Sequence, residues 1–432
     1  MDVAEPVIIQ RSTTAGAERA ARRREWVILA VLAAVNFCHI VDFVLVMPLG
    51  PQLMRGFAIT PREFGLIVSA YTFSAAVSGL LAASVMDRFD RKRALLVLLA
   101  GFGVGTLACA FAPTYPVLVA ARVLAGAFGG VLAGVVFTVI GDEIAPERRG
   151  TATGIVMAGF SAASILGLPM GLWFAARAGW HAPFLALAAI TGGVLAFAIL
   201  ALPPMRGHLS AERRPPWTVI GEVARQPAHL RAFALSVMLM FGGFTISPFI
   251  SPYLVANVGV KEEELSFVYL AGGIVTLVVS PLVGRLSDRF GHLRAFTVAA
   301  LVSTLPIVAV TNLPRVPLAA ALAVTTSLTL GFSSRMVPSM ALITGSVEPR
   351  LRGAFMSVNA SLQQMGAGVA SFAAGLIVGG SGETGITRFP VVGAVAAVAT
   401  LLALPLAARL HAARPPRPVA EIGESAPAAA TH

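Results

Sequence analysis

The sequence predicts an all-α integral membrane protein, with twelve transmembrane helices in two pseudo-symmetric six-helix bundles. Three observations carry that prediction. Of 432 residues, 56% are hydrophobic and only 12% charged, where a soluble domain carries about 25% charge. The charges are clustered, and the runs between them reach the roughly 20 apolar residues that cross a bilayer as a helix. A charged loop also occurs twice. Asp87-Arg88-Phe89-Asp90-Arg91-Lys92-Arg93 returns as Asp288-Arg289-Phe290-Gly291-His292-Leu293-Arg294, an offset of 201 residues. The pattern Pro-x-x-Arg-Gly repeats at Pro146–Gly150 and Pro349–Gly353, an offset of 203. Two pairs at nearly one spacing mean a duplicated half.

In chain order, a polar stretch over residues 1–25 reads as a disordered cytoplasmic tail. Apolar runs predict spans over 26–49, 63–85, 94–112, 115–141, 151–175 and 183–203, the first bundle lying in 26–204. Residues 205–231 hold Arg206, Arg213, Arg214, Pro215, Pro216 and Arg225 and read as a linker. Trp217, Val219, Ile220 and Val223 within it form one face of a short interfacial helix. Further spans follow over 232–256, 265–284, 293–311, 316–342, 354–379 and 391–410, the second bundle lying in 232–410. The breaks between spans hold Pro, Gly and charge. Residues 411–432 are rich in Pro and Ala and read as a disordered tail. The run at Trp26–Leu49 is too long for a signal peptide and lacks its cleavage pattern. No strand-length alternation suggests a barrel.

The net charge of +11 invites a nucleic-acid reading, but its distribution argues against one. With the N-terminus cytoplasmic, inside segments hold about four times as many Lys and Arg as outside loops, which supports both termini inside. Cys38 and Cys109 lie in apolar runs and make neither a disulfide framework nor a metal cluster. Metal ligands and cofactors are not expected. An enzyme would need clustered His and acidic ligands, or a nucleophile beside a base, and the chain has neither pattern.

Ionisable groups inside a span are costly and usually face a cavity or a partner. Asp42 is the one carboxylate far from a span end. His39 and Asn36 precede it at intervals of three, so the first span carries a polar stripe. Asp42 lies roughly 10 Å below the outer surface at 1.5 Å per residue. Arg122, in the fourth span, falls at a similar depth. An Asp42–Arg122 pair is either a proton-coupling switch, because protonating Asp42 releases Arg122, or a structural ion pair. Arg335 in the tenth span either attracts an anionic substrate group or binds carbonyls freed near Pro338. Asn359 and Gln363 share a face and serve either substrate or interhelical hydrogen bonds. Tyr71, Phe241 and Phe244 complete the expected cavity, although both phenylalanines also fit a lipid-facing position.

The repeated loops supply candidate gates at Asp87, Arg88, Arg91, Asp288 and Arg289. A carboxylate near a helix N-terminus is favoured by the macrodipole, so Asp87 is placed to latch the second span to the eleventh, and Asp288 to act likewise on the fifth. The alternative is that the arginines of each loop only fix topology. Small residues mark tight helix contacts at Gly126, Gly167 and Gly171. Pro169 weakens the fifth span and suits a hinge.

These motifs resemble the major facilitator superfamily from about residue 25 to 410. The family's loop between its second and third helices reads Gly-x-Leu-Ala-Asp-Arg-x-Gly-Arg-Lys. Gly284–Gly291 follows its first part. The earlier copy keeps Asp87, Arg88, Arg91 and Lys92 but has Ala83 and Asp90 where glycines are usual. Arg122 and Gly126 match the fourth-helix motif Arg-x-x-x-Gly, whose arginine is implicated in proton coupling in drug:proton antiporters. The fifth-helix antiporter motif is met in part by Ala163, Gly167, Pro169 and Gly171, with the proline one place late. With Gly179-Trp180, the pattern is most similar to the arabinose-efflux-type permeases of the antiporter branch. The resemblance implies a monomer of the bacterial inner membrane that exports a small molecule (drug, sugar or metabolite) in exchange for protons by alternating access. Its rival on the same fold is a facilitator or proton symporter that imports a sugar or organic acid.

Overall fold

The computed structural model describes residues 5–82, 86–206, 216–381 and 385–413. Helices dominate it. In the first half these are α1 (Glu5–Leu45), α2 (Gly50–Gly56), α3 (Pro61–Ala82), α4 (Arg91–Ala110), α5 (Tyr115–Glu143), α6 (Arg149–Ala162), α7 (Leu168–Ala178) and α8 (His181–Ala201). A linker helix, α9 (Pro216–Arg225), precedes α10 (Pro227–Phe244) and α11 (Ser247–Tyr253). The chain then runs through α12 (Leu265–Phe290), α13 (His292–Thr311), α14 (Leu318–Thr344), α15 (Arg352–Ile377) and α16 (Phe389–Ala412).

Two rods are assembled from pieces. A π-turn at Ala163–Gly167 joins α6 to α7, and another at Leu254–Val258 extends α11. Each lies within a few residues of a proline, Pro169 or Pro252, whose missing N–H breaks the regular ladder. Joined this way, twelve rods result. Among the described residues ten are long and apolar enough to cross a membrane on those grounds alone. The others, α14 and α15, are 27 and 26 residues long but carry Ser333, Ser334, Arg335, Asn359 and Gln363. They are less apolar because polar side chains face inward. The rim is apolar, with Leu200, Leu305 and Phe111 among the most exposed side chains, as a lipid-facing surface requires.

The structure corrects one expectation and adds two elements. The backbone of residues 5–21 is helical and forms the first part of α1, because Ala, Arg and Glu are strong helix formers. The loop after α15 is a hairpin of two short antiparallel strands, β1 (Gly379–Ser381) and β2 (Gly385–Thr387). Gly380 and Gly385 take positive φ at its turn, where a side chain would be strained. The connection between α1 and α3 holds the short helix α2. The C-terminal tail beyond residue 413 and the linker residues 207–215 lie outside the described residues, as do the side chains of Trp217 and Val219. Val223 of α9 is fully buried against α10 and α15, so the linker helix packs on protein through that residue.

Each half packs on itself. In the first, α3 and α4 pack on α5, α4 packs on α8, and α1 packs on α6 and α8. In the second, α12 and α13 pack on α14, and α10 packs on α15 and α16. The halves meet along two seams, α3 against α15 and α7 against α12. Small residues set the first seam. A Cβ on Gly65 would lie 3.0 Å from the Ser371 carbonyl, and one on Gly368 would lie 2.6 Å from the Thr72 hydroxyl. The second seam closes where Gly273 of α12 touches the backbone of Ser164 in the π-turn.

The two ends of the bundle differ. The end away from the chain termini, called here the distal face, is tied across the halves. Arg55 of α2 pairs with Glu262 before α12, Phe64 meets Phe249 edge-on at 5.9 Å, and Gly50 packs under Pro252. At the terminal face the described ion pairs stay within a half. They join Arg24 to Glu143, Glu25 to Arg148, Arg91 to Asp142 and Asp90 to Arg206 in the first half, and Arg350 to Glu222 in the second. The distal side thus carries the described ion pair that joins the two halves.

Candidate functional site

The deepest polar cluster lies between α1, α3, α4 and α5. Asp42 Oδ2 accepts from Arg122 Nη1 at 2.8 Å, with the aspartate fully buried and the arginine 1% exposed. The same Nη1 lies 3.4 Å from the Asp42 carbonyl oxygen, and Thr106 of α4 donates to Asp42 Oδ1 at 3.1 Å. Beneath the pair lies Tyr71 of α3, with its ring centroid 4.3 Å from Arg122 Cζ. The guanidinium thus has a carboxylate on one edge and an aromatic face below, and both contacts strengthen in a dry setting. Sequence depth placed Asp42 and Arg122 together correctly. Thr106 was missed, because one threonine in an apolar run carries no signal.

A row of rings leads away from the pair. Tyr71 stacks on Phe43 at 5.6 Å, and Phe43 meets Phe244 of α10 at 5.5 Å. Phe244 therefore lies on the boundary between the halves. Phe241 does not. It lines an apolar groove on the perimeter between α10 and α16 with Met238, Val391, Val395 and Val398. Phe241 sits about 60° around α10 from Phe244, enough to set it against α16 rather than α1.

The remaining cavity candidates divide. His39 is buried with its ring 6.4 Å from Tyr71 and 6.3 Å from Phe102, and its Nε2 has no partner among the described residues. Tyr71 Oη is also unpartnered. Asn36 is spent on structure, donating from Nδ2 to the Val156 carbonyl of α6 at 2.9 Å. Asn359 is buried with Oδ1 unpartnered, and Gln363 is half-buried on the same helix. Arg335 is 3% exposed and donates to Thr400 Oγ1 of α16 at 2.5 Å, with no bond to a carbonyl near Pro338. Among the described residues there is no group of three or more His, Cys, Asp or Glu side chains able to hold a metal.

Comparison with known proteins settles what kind of molecule carries this arrangement. The Major Facilitator Superfamily model matches twice, over residues 32–244 and 232–431. The chain belongs to the major facilitator superfamily. It is 27% identical over 365 residues to the inner membrane transport protein YdhP of Escherichia coli, covering 84% of this chain and 91% of that one. A chloramphenicol efflux pump of Mycobacterium tuberculosis is 30% identical over 268 residues, 61% of this chain and 63% of its own. The putative transporter AraJ of Escherichia coli is 24% identical over 254 residues, 59% of this chain and 64% of its own. Among solved structures, a bacterial Spinster homologue facing inward matches with a TM-score of 0.67 at 16% identity, covering 90% of this chain and 95% of that one. The nucleoside transporter NupG gives 0.71 at 13%, covering 89% and 98%. The protein is thus a multi-pass membrane transporter of small molecules, not an enzyme.

As a major facilitator superfamily member it carries the family motifs in altered form. In the fourth-helix motif, Gly126 presses α5 on α3, and a Cβ there would stand 2.3 Å from the Tyr71 carbonyl oxygen. Gly126 thereby brings Tyr71 under Arg122. Gly167 and Gly171 seat the fifth rod on α1, where a Cβ would meet Val41 at 2.3 Å and Leu45 at 2.6 Å. Pro169 follows the π-turn.

In the repeated loops of this superfamily member, the side chain of Asp87 lies outside the described residues. Arg88 is exposed. Arg91 is buried, donating from Nε to Asp142 at 2.8 Å and from Nη1 to the Met86 carbonyl at 3.0 Å. Asp288 and Arg289 are exposed, and Arg289 lies over Phe290 at 5.4 Å. The latch expected of Asp288 is not made to any described residue, because α12 meets the fifth rod mainly towards the distal side. Among the described acids of these loops Asp90 does bind, at the position where the family usually has glycine. It caps α4 by accepting from Lys92 N at 2.8 Å and also accepts from Arg206 Nε at 2.9 Å. Burial pushes its carboxyl up, but Arg206 and the N–H groups of Lys92, Met205 and Arg93 outweigh this and hold it below the usual range.

Proposed function

We propose that the protein exports a small molecule in exchange for protons across the bacterial inner membrane, with both termini cytoplasmic. The buried Asp42–Arg122 pair carries this reading. On it the distal face is periplasmic, the structure faces inward, and a monomer suffices. Residues 26–204 and 232–410 rock as two units about the linker at 205–231.

Coupling follows from the pair's surroundings. Ionised Asp42 neutralises Arg122, and the cluster needs no water. A proton on Asp42 removes that partner and leaves a guanidinium that cannot itself deprotonate. Arg122 must then find other acceptors, and its movement disturbs the Tyr71 ring against which it lies. Tyr71 contacts Phe43, and Phe43 contacts Phe244 in the other half, so the two halves sense the proton through packed rings. A proton bound to one arrangement in preference to the other shifts their populations. The membrane potential adds about 2.3 kcal/mol per charge per 100 mV. Gly167, Pro169 and Gly171 act as the hinge of the fifth rod, and the loops at Asp87–Arg91 and Asp288–Arg289 gate the terminal face. His39 assists proton entry. Tyr71, Phe244, Arg335, Asn359 and Gln363 contact substrate as the cavity opens.

Chloramphenicol is the first compound to test, because a relative is named for its efflux. Everted membrane vesicles loaded with the protein should accumulate it when respiration acidifies their lumen. A protonophore or Asp42→Asn should abolish accumulation. Gradient-driven uptake of a sugar or organic acid into right-side-out vesicles would assign import instead.

A further inference from the structure

Among the described residues three arginines are buried, and Arg335 is the one without a carboxylate partner, since Arg91 pairs with Asp142. Arg122 has Asp42 at 2.8 Å. Arg335, 3% exposed, has a single hydrogen-bond partner, the hydroxyl of Thr400. Its Nε has none, and no carboxylate pairs with it among the described residues. The sequence explains the deficit, since Asp42 alone among the acids lies deep in a span and is already engaged. The carbonyls near Pro338 accept nothing from it, and the one ring beside it, Phe332, lies 5.6 Å from Cζ. A guanidinium keeps its proton under all physiological conditions. Held within a membrane it requires a counter-anion or a route to water.

Its position points to a mobile counter-anion. Arg335 Nη1 lies 3.7 Å from where a Cβ on Gly242 would stand. Two residues further along α10, Phe244 contacts Phe43 across the boundary. The uncompensated charge is therefore next to the segment of α10 that must shift when the halves move.

We propose that Arg335, with Thr400, is the binding point for an organic anion whose charged group is a carboxylate, sulfonate or phosphate ester. A planar guanidinium suits such groups because it can donate two parallel hydrogen bonds. That the anion is cargo rests on the transport reading above. The binding itself does not.

The test compares thermal unfolding of purified wild type and Arg335→Met in dilute buffer with added sodium benzoate, sodium acetate, sodium chloride or neutral benzamide. Benzoate or acetate should raise the wild-type midpoint by about 2 °C at tenfold its dissociation constant. Benzamide should not, and Arg335→Met should lose the response. Without added anion, Arg335→Met should unfold at or above the wild-type temperature, since a lone buried charge has been removed. An equal response to chloride, also lost in Arg335→Met, keeps the anion site but overturns its organic selectivity. Equal effects of benzoate and benzamide, or equal responses in both proteins, would overturn the site. So would an Arg335→Met protein that is less stable in every buffer and is rescued by Arg335→Lys in benzamide as well as benzoate. If Arg335→Met does not fold, Thr400→Val serves, and an unchanged benzoate response there overturns the pairing. A benzoate response retained in Asp42→Asn, alongside pH-independent transport in wild type, would sink the coupling reading and leave the anion site standing.

Discussion

Phe43 of α1 and Phe244 of α10 meet at 5.5 Å across the boundary between the halves. Phe43 directly follows Asp42, and its other neighbour is Tyr71, which lies under Arg122. The contact therefore joins a buried ion pair in one half to a helix of the other through ring packing alone. An aromatic pair contributes about 0.5–1.5 kcal/mol beyond its buried area. Phe244→Ala should leave proton binding in place and weaken its effect on the halves. Transport should fall roughly tenfold, the equivalent of about 1.4 kcal/mol, with the pH midpoint unchanged. A Phe244→Leu variant that matches Phe244→Ala would show that ring packing, not volume, carries the effect. Wild-type rates in both would remove the rings from the coupling path.

The Asp42–Arg122 pair makes a prediction about stability that is separate from transport. Removing one member of a buried pair leaves an uncompensated charge, which costs about 3–5 kcal/mol. Asp42→Asn should therefore lower the unfolding temperature, and Arg122→Gln should do so too. The double variant Asp42→Asn with Arg122→Gln should be more stable than Asp42→Asn alone, because no lone guanidinium remains. A thermal-unfolding double-mutant cycle measures this, and additive losses would mean that the two side chains do not interact.

Close approach at Gly126 gives a paired test. A Cβ there would stand 2.3 Å from the Tyr71 carbonyl oxygen, whereas one at Gly134, on the same helix, would meet nothing within 4 Å. Gly126→Ala must push α5 off α3, a strain of about 1–3 kcal/mol. Gly134→Ala should be neutral or slightly stabilising, by up to about 1 kcal/mol from helix propensity. Expression level and unfolding temperature report both. Comparable tolerance at the two positions would contradict the α3–α5 contact.

Much of this was legible in the sequence because membrane burial makes polar residues conspicuous. Asp42, His39 and Arg122 stood out from apolar runs, and helical rise alone put the acid and the base at one depth. Asn36 was equally conspicuous, yet it holds α6, since depth does not say which way a side chain turns. Phe241 and Phe244 were indistinguishable by type, and only their neighbours in the structure separated them. Thr106 and Phe43 belong to the site but look like ordinary span residues. The repeated loop promised Asp87 and Asp288 as the working acids. Asp288 makes no latch contact among the described residues, the Asp87 side chain lies outside them, and the structure shows Asp90 bound, at a position where the family motif has glycine and offers no hint of a role.

Asp90 supports a prediction with a sign in pH. It caps α4 through Lys92 N and holds Arg206 at 2.9 Å, so it ties the start of the inter-half linker to the repeated loop. Loss of a helix cap costs about 0.5–2 kcal/mol, and Asp90→Ala should lower the unfolding temperature accordingly. The carboxyl is held below its ordinary range in the folded protein. A group depressed on folding stabilises above its unfolded pKa of about 3.9 and loses that contribution as pH falls through the folded value. The difference between wild type and Asp90→Ala should therefore be full at neutral pH and shrink under acid conditions. Asp90→Asn should keep the cap, lose the Arg206 ion pair, and fall between the two at neutral pH. Unfolding curves of the three proteins from neutral to acid pH decide the matter, and a gap that widens on acidification would mean that Asp90 is not the stabilising group.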